Sequence, residues 1–314
     1  MNLSSVVSIY IAHKRALGCR FQTEGAVLKA FIKAVGDTPI AEIKPSSLIQ
    51  TFLDGRGPPT EYWAKKYHVL TGLYRFAIPR GLVSGSPLPK RIPLLTDPAF
   101  VPYIYSQAEL KRLLCAVPAA CAGRVPIDGD VYRTLLLLLY GAGLRISEAL
   151  NLTMADVDLI EATLRVRETK FFKTRIVPLG ADLTKVLIAY AGKQNAETPA
   201  SQDTPLFCFK DGRRLSKSAA EGAFRRLRAC AGVAREGGGR RQPRLHDLRH
   251  SAAVHRLIAW YRSGADLQDL LPKLSTYLGH VDLSATQRYL TMTPELLREA
   301  SMRFERYALE AKDD

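Results

Sequence analysis

The sequence contains no apolar run that could span a bilayer. Its longest, residues 135–140, falls far short of the about 20 residues a transmembrane helix requires. Cysteine is sparse: Cys19, Cys115, Cys121, Cys208 and Cys230 include no C-x-x-C pair. That excludes a zinc knuckle and a disulfide framework as the basis of the fold, and fits a reducing compartment. The N-terminus lacks the basic-then-apolar order of a secretory signal, so a cytoplasmic location is expected. Internal repeats, low-complexity tracts and any carboxylate cluster suited to Mg²⁺ are missing too. Acidic residues are in the minority, 30 against 45 Lys plus Arg, which leaves a formal charge of +15. Such an excess favours a polyanionic partner, nucleic acid ahead of a membrane surface.

What is present is a globular balance, 47% apolar and 24% charged, in 314 residues, enough for two ordinary domains. The first ninety residues read as helices. Val6, Ile9, Tyr10, His13 and Leu17 share a helical face, as do Val27, Phe31, Ala34 and Val35. Further helices are expected over 46–53 and 61–78. The latter mixes Tyr62, Trp63, Tyr67 and Tyr74 with Lys65, Lys66, His68 and Arg75. That texture suits either a surface meeting phosphates and sugars or an amphipathic helix with a solvated basic face.

Gly81, Gly85, Pro87, Pro89, Pro93, Pro98 and Pro102 then forbid helix, and the stretch, with Lys90 and Arg91 inside it, reads as a linker. The expected organisation is a helical domain over 1–81, a linker over 82–102 and a second domain over 103–314. Ser106 and Glu109 form an S-x-x-E helix start. Residues 132–152 look helical, interrupted by Gly141 and Gly143. Leu164 and Val166 alternate with Arg165 and Arg167 before a polar-aromatic turn and 176–179, which predicts a hairpin with Lys170 and Lys173 at its tip. The rest is mostly helical, apart from a loop at 237–243. The fold class is mainly α with a small antiparallel β-sheet.

Four stretches carry candidate chemistry. In "GAGLRISEALNL", Arg145 follows two glycines, which let backbone approach a ligand, and an arginine there can grip phosphate with paired donors. It could equally be a surface residue. Lys170 at a strand tip could be functional or merely solvated. In "RLHDLRHSAAVH", His246, Arg249 and His250 fall at i, i+3 and i+4 and so share a helix face. A histidine and an arginine there could reach one phosphate, or the face could simply be basic. A zinc reading fails for want of H-E-x-x-H or cysteine partners. The fourth stretch, "LGHVDLSATQRYL", holds His280 and Tyr289.

Taken in order, Arg145, Lys170, His246, Arg249, His280 and Tyr289 resemble the active-site signature of the tyrosine recombinases, or phage-type integrases. "GLRISEALNLTMADVDL" is similar to the first-arginine motif of Xer-type members, "TKFFKTRIVPLG" to their hairpin, "HDLRHSAA" to H-x-L-R-H and "LGHVDLSATQRYL" to the box ending in the tyrosine. The resemblance runs from about Tyr103 to the C-terminus and, less specifically, makes the N-terminal segment a core-binding domain. It implies a two-domain clamp on DNA. Two departures stand out. Lys-Phe-Phe-Lys replaces the usual glycine after the hairpin lysine, making Lys173 a rival to Lys170. The stretch between Arg249 and His280 is also longer than in Xer proteins, which points to an integrase of a transposon or plasmid.

The resemblance implies a site-specific recombinase that needs no metal, cofactor or ATP. Tyr289 is the implied nucleophile, Arg145 and Arg249 clamp the phosphate with help from His280, His246 accepts the phenolic proton and Lys170 protonates the leaving 5′-oxygen. A 3′-phosphotyrosyl linkage and a Holliday junction follow. The implied partners are double-stranded DNA with specific recombination sites and either three more copies in a homo-tetramer or sister recombinases; no membrane is involved. DNA-facing candidates are Lys65, Lys66, Arg75, Lys90, Arg91, Lys173, Arg213, Arg214, Arg225, Arg240, Arg241 and Arg244. The rival readings are a type IB topoisomerase with the same chemistry and a DNA-binding regulator without catalysis.

Overall fold

The computed structural model describes residues 1–55, 59–94, 101–123, 126–167, 174–197, 203–280 and 282–310. The chain divides into two compact units that meet in sequence at Phe100 and Val101. The first holds α1 (Leu3–Ala16), α2 (Gln22–Val35), α3 (Ser47–Asp54) and α4 (Glu61–Ala77). Leu3, Val6, Tyr10, Leu28, Phe31, Leu53, Trp63, Leu70 and Tyr74 fill its core, whereas Ile9 and Leu17 of the expected apolar face are exposed. Thr60 caps α4 by accepting the Tyr62 N–H.

The basic-aromatic texture of α4 therefore splits. Trp63 and Tyr74 are core, and Trp63 Nε1 donates to Asp54 Oδ1 at 2.9 Å. Lys66, expected on a DNA-facing surface, is buried. Its ammonium donates to the Phe52 carbonyl at the end of α3 and lies over the rings of Phe52 and Tyr62. A cation at a helix C-terminus answers the carbonyls left without intrahelical partners, and an ammonium can be buried there because it is paired. Among its described residues the proline-rich stretch is helix-free beyond a 3₁₀ turn at Ile78–Arg80. Its first half nonetheless buries Val83 and Leu88 in the core of the first unit.

The second unit opens with α5 (Gln107–Ala120), started as the sequence predicts: Ser106 Oγ accepts the Glu109 N–H and Glu109 Oε2 accepts the Ser106 N–H. The helical pattern over 132–152 is two helices, α6 (Gly129–Gly141) and α7 (Ile146–Asn151). The glycines at the break lie where a side chain would crowd the packing. A Cβ on Gly141 would meet Leu183 at 3.0 Å, and one on Gly143, where φ is +59°, would meet Leu278 at 2.8 Å.

A three-stranded antiparallel sheet follows, β1 (Val157–Asp158), β2 (Thr163–Val166) and β3 (Arg175–Pro178), in that order, with Leu164 opposite Val177 and Val166 opposite Arg175. The expected hairpin is β2–β3; β1, too short to leave a periodic signal, adds a third strand. The tip, with Lys170 and Lys173, lies outside the described residues.

The remaining elements are α8 (Ala181–Glu197), α9 (Lys217–Cys230), α10 (Asp247–Arg262), α11 (Leu267–Leu278), α12 (Ser284–Gln287) and α13 (Pro294–Glu310). Two apolar clusters hold them. The larger joins α5, α6, α7, the sheet and α9 through residues such as Leu135, Leu164, Phe207 and Phe224. The smaller lies between α10, α11 and α13, where Val254, Leu257, Leu278 and Leu296 surround Tyr289. Thr293 caps α13. The helix packs on α10 of its own unit, with Arg262 paired to Glu295 at 2.7 Å and Glu299 at 2.8 Å. Leu296 on the expected apolar face is fully buried, but Leu297 and Phe304 remain exposed. Among the described residues no helix is long and apolar enough to cross a membrane.

Candidate active site

Arg145 sits just before α7, and Glu148 in the first turn folds back to accept its backbone N–H at 2.9 Å. The same buried carboxylate accepts Arg145 Nη1 at 2.7 Å and takes two parallel bonds from Arg175, at 3.1 and 2.8 Å. Arg249 Nη1 stands 4.0 Å from it. Three guanidinium groups thus surround one carboxylate, which leaves two positive charges uncompensated.

The end of α11 holds the other sides of these arginines. Its last turn closes with Gly279 at φ +68°, the Gly279 N–H bonded to the Thr276 carbonyl and the His280 N–H to the Ser275 carbonyl. This glycine-capped turn leaves the next three carbonyls without backbone partners. Each receives one arginine: Tyr277 O from Arg175 Nε at 3.2 Å, Leu278 O from Arg249 Nη2 at 2.7 Å and Gly279 O from Arg145 Nη2 at 2.8 Å. Arg249 is further tied to Gly143 O at 2.6 Å. The turn that fixes the arginines also places His280.

Two imidazoles meet at Tyr289, whose ring is core and 2% exposed, and a third lies behind one of them. His250 Nδ1 lies 3.1 Å from the Tyr289 hydroxyl. His246, expected to be the partner of that hydroxyl, instead meets His250 edge-on, with ring centroids 4.9 Å apart. The face shared by His246, Arg249 and His250 is real, but His250 is the member that reaches the phenol. His280 stacks on the Tyr289 ring at 6.0 Å, and its Nδ1 is hydrogen-bonded at 2.7 Å to Oγ1 of the fully buried Thr286.

Burial, reinforced by Arg249, pushes the imidazoles of His246 and His280 down to about 4, and burial with His246 pushes His250 to about 3. All three are neutral near pH 7, each with one ring nitrogen able to accept a hydrogen bond. Burial raises the Tyr289 phenol, against the downward pull of Arg249 and Arg145. Burial and the neighbouring Arg145 lower Arg249 to about 10, which leaves it charged. For Glu148, burial acts upward but is outweighed by Arg175 and Arg145, which hold the carboxyl at about 2.

Of the six catalytic candidates, Arg145, His246, Arg249, His280 and Tyr289 converge, and Lys170 is outside the described residues. Glu148, Arg175 and His250 join the site without having been singled out as members. The Arg145–Glu148 spacing was a readable helix-start signal; nothing local marked Arg175. Among the DNA-facing candidates, Arg75, Lys90, Arg91, Arg225 and Arg241 are exposed and Lys65 is half-buried. Arg213 pairs with Asp211, Arg214 donates to the Leu150 carbonyl, and Arg244 pairs with Asp247. Lys173 and the Arg240 side chain are not among the described groups. Among the described residues, no three His, Cys, Asp or Glu side chains are grouped to hold a metal ion.

Residues 107–295 match the phage integrase family. A Sinorhizobium fredii protein provisionally named as an integrase/recombinase, y4rB, is 37% identical over 96% of this chain and 96% of its own. Tyrosine recombinase XerC of Oceanobacillus iheyensis is 29% identical over 90% of this chain and 88% of that one. The fold is similar to that of the Tn1549 transposon integrase in complex with a circular intermediate DNA, with a TM-score of 0.70 and 17% identity over 97% of this chain and 99% of that one. With its arginines, imidazoles and tyrosine gathered around one pocket of charge, the chain belongs to the phage integrase family of tyrosine recombinases.

Proposed function

We propose that this chain cleaves and rejoins specific DNA sites through Tyr289, with no metal or ATP in the reaction. The gathering of Arg145, Arg249 and three neutral imidazoles beside Tyr289, with His250 at its hydroxyl, carries the reading. Attack of a phenol on a phosphodiester adds negative charge to the non-bridging oxygens. Two uncompensated guanidinium charges, fixed before substrate arrives, answer that charge, and each such donor is worth about 3–4 kcal/mol. Tyr289 Oη bonds to phosphorus as the bond to the 5′-oxygen breaks, which leaves a 3′-phosphotyrosyl link and a free 5′-hydroxyl. The phenolic proton passes to an imidazole, and His250 is the nearest. Lys170 or Lys173 supplies the proton to the leaving oxygen, and His246 and His280 bond the phosphate. The linkage keeps the bond energy, so a second 5′-hydroxyl reverses the step on another strand.

Two such rounds through a Holliday junction, on paired sites held by a homo-tetramer or by an assembly with sister recombinases, make the chain an integrase of a mobile element acting on the nucleoid in the cytoplasm. In this reading the N-terminal and catalytic units close on duplex DNA as a clamp. The test uses a duplex selected by the wild-type chain from a random library and nicked beside the cleaved phosphate. The wild type should give an SDS-resistant adduct, and Tyr289→Phe should bind the duplex without one. Absence of an adduct from the wild type overturns the reading. Relaxation of supercoiled plasmid without exchange between paired sites would make it a topoisomerase instead.

A further inference from the structure

We infer that Arg175 is a positioning residue for this reaction, one that acts through Arg145 and Arg249. The inference rests on the proposed phosphotyrosyl chemistry and extends it to a residue on the sheet. Arg175 opens β3, and its side chain is 14% exposed. Its guanidinium bonds both oxygens of Glu148, at 3.1 and 2.8 Å, and its Nε bonds the Tyr277 carbonyl at 3.2 Å. It therefore pins the start of α7 to the end of α11, the two places from which Arg145 and Arg249 are held.

Each phosphate-facing arginine depends on those anchors. Arg145 bonds Glu148 and Gly279 O; Arg249 bonds Leu278 O and approaches Glu148. Without Arg175, Glu148 keeps Arg145 as its one close cation, and the last turn of α11 loses one of three side-chain caps. Arg145 is then drawn toward the carboxylate and away from the substrate.

Gly279 is the second, independent mark of this arrangement. A Cβ there would lie 2.7 Å from Arg175 Nη1 and 2.8 Å from its Cζ, besides the strain of φ +68°. The planar guanidinium lies flat against the residue that precedes His280, and only glycine leaves it room.

The test compares Arg175→Met and Arg175→Lys with the wild type on the nicked duplex, with the scissile group either a phosphate or an uncharged methylphosphonate. Arg175→Met should bind the duplex normally and form adduct about 10²-fold more slowly, the scale of a small misplacement of reacting groups. Arg175→Lys should recover part of that loss. On the methylphosphonate the deficit should shrink several-fold, because the charge that the arginines stabilise has been removed. A wild-type rate for Arg175→Met overturns the inference, as does an equal deficit on both substrates, which marks a purely structural role. Should Arg175→Met fail to fold, Arg175→Lys and Gly279→Ala, which displaces the guanidinium without deleting it, are read on the same two substrates. Failure of the wild type itself to form adduct strikes the underlying chemistry rather than the role of Arg175.

Discussion

His250 Nδ1 stands 3.1 Å from the Tyr289 hydroxyl, while His246 touches His250 and not the phenol. His250→Ala should therefore slow adduct formation by about 10²–10⁴-fold, the usual contribution of a positioned proton acceptor. Duplex affinity should be unchanged. Single-turnover kinetics on the nicked site measure both, and a wild-type rate for His250→Ala would return the acceptor role to His246.

The proton donor can be separated from the acceptor by chemistry. A duplex with sulfur in place of the bridging 5′-oxygen has a leaving group that needs no proton. The expectation is that Lys170→Ala is inactive on the ordinary nicked duplex and restored on the sulfur one, while Lys173→Ala is affected on neither and His250→Ala on both. Restoration of Lys173→Ala instead would exchange the two lysines.

Acid should weaken the fold through the imidazoles. His246, His250 and His280 sit near 4, 3 and 4 in the folded chain, below the about 6.5 of an unfolded histidine. Between these limits the unfolded chain binds more protons, so stability is full above about pH 6.5 and falls as the pH drops toward about 4. Urea midpoints should decline over that interval. Replacing all three histidines with glutamine should flatten the decline. Glu148, held at about 2, adds its own loss from about pH 4.3, the unfolded value, down toward 2.

Removing the Glu148 carboxylate should cost the fold about 3–5 kcal/mol, since the buried Arg249 guanidinium would lose the anion that faces it. Glu148→Gln, measured by chemical denaturation, should show most of that loss. A change within about 0.5 kcal/mol, the range of ordinary surface substitutions, would mean that the backbone carbonyls suffice for the arginines.

Lys66 and Arg225 should part company in salt titrations. Lys66→Met should lower the stability of the N-terminal unit and leave the salt dependence of DNA binding unaltered, because its ammonium caps α3. Arg225→Ala, if that exposed side chain meets a phosphate, should reduce the logarithmic salt slope by about 1 with little effect on stability.

Much of this site could be read from the chain, because its parts carry local marks. Arg145 follows a glycine break, His246 and Arg249 share a helical face, and Gly279 with His280 ends a helix. The capped start of α5 and the β2–β3 pairing were equally local. Arg175 was not legible: its function is a long-range ion pair with Glu148, 27 residues earlier, and on a strand it passes for one more basic residue. Lys66 misled for the converse reason. A lysine among aromatics looks solvated until the fold turns the end of α3 toward it. His250 was visible on the right face, but which of two histidines meets a tyrosine 39 residues later is decided by packing of α10 against α11 and α13.

The last turn of α11 has a consequence for how freely this protein can vary. Tyr277, Leu278 and Gly279 hold the arginines through main-chain oxygens, which every amino acid supplies. Side chains at 277 and 278 can drift without unmaking the charge pattern, so long as the helix still ends there. Only position 279 is locked, by the want of space. A saturation library across 274–280 should therefore recover active clones with many residues at 277, apolar ones at 278 and glycine alone at 279.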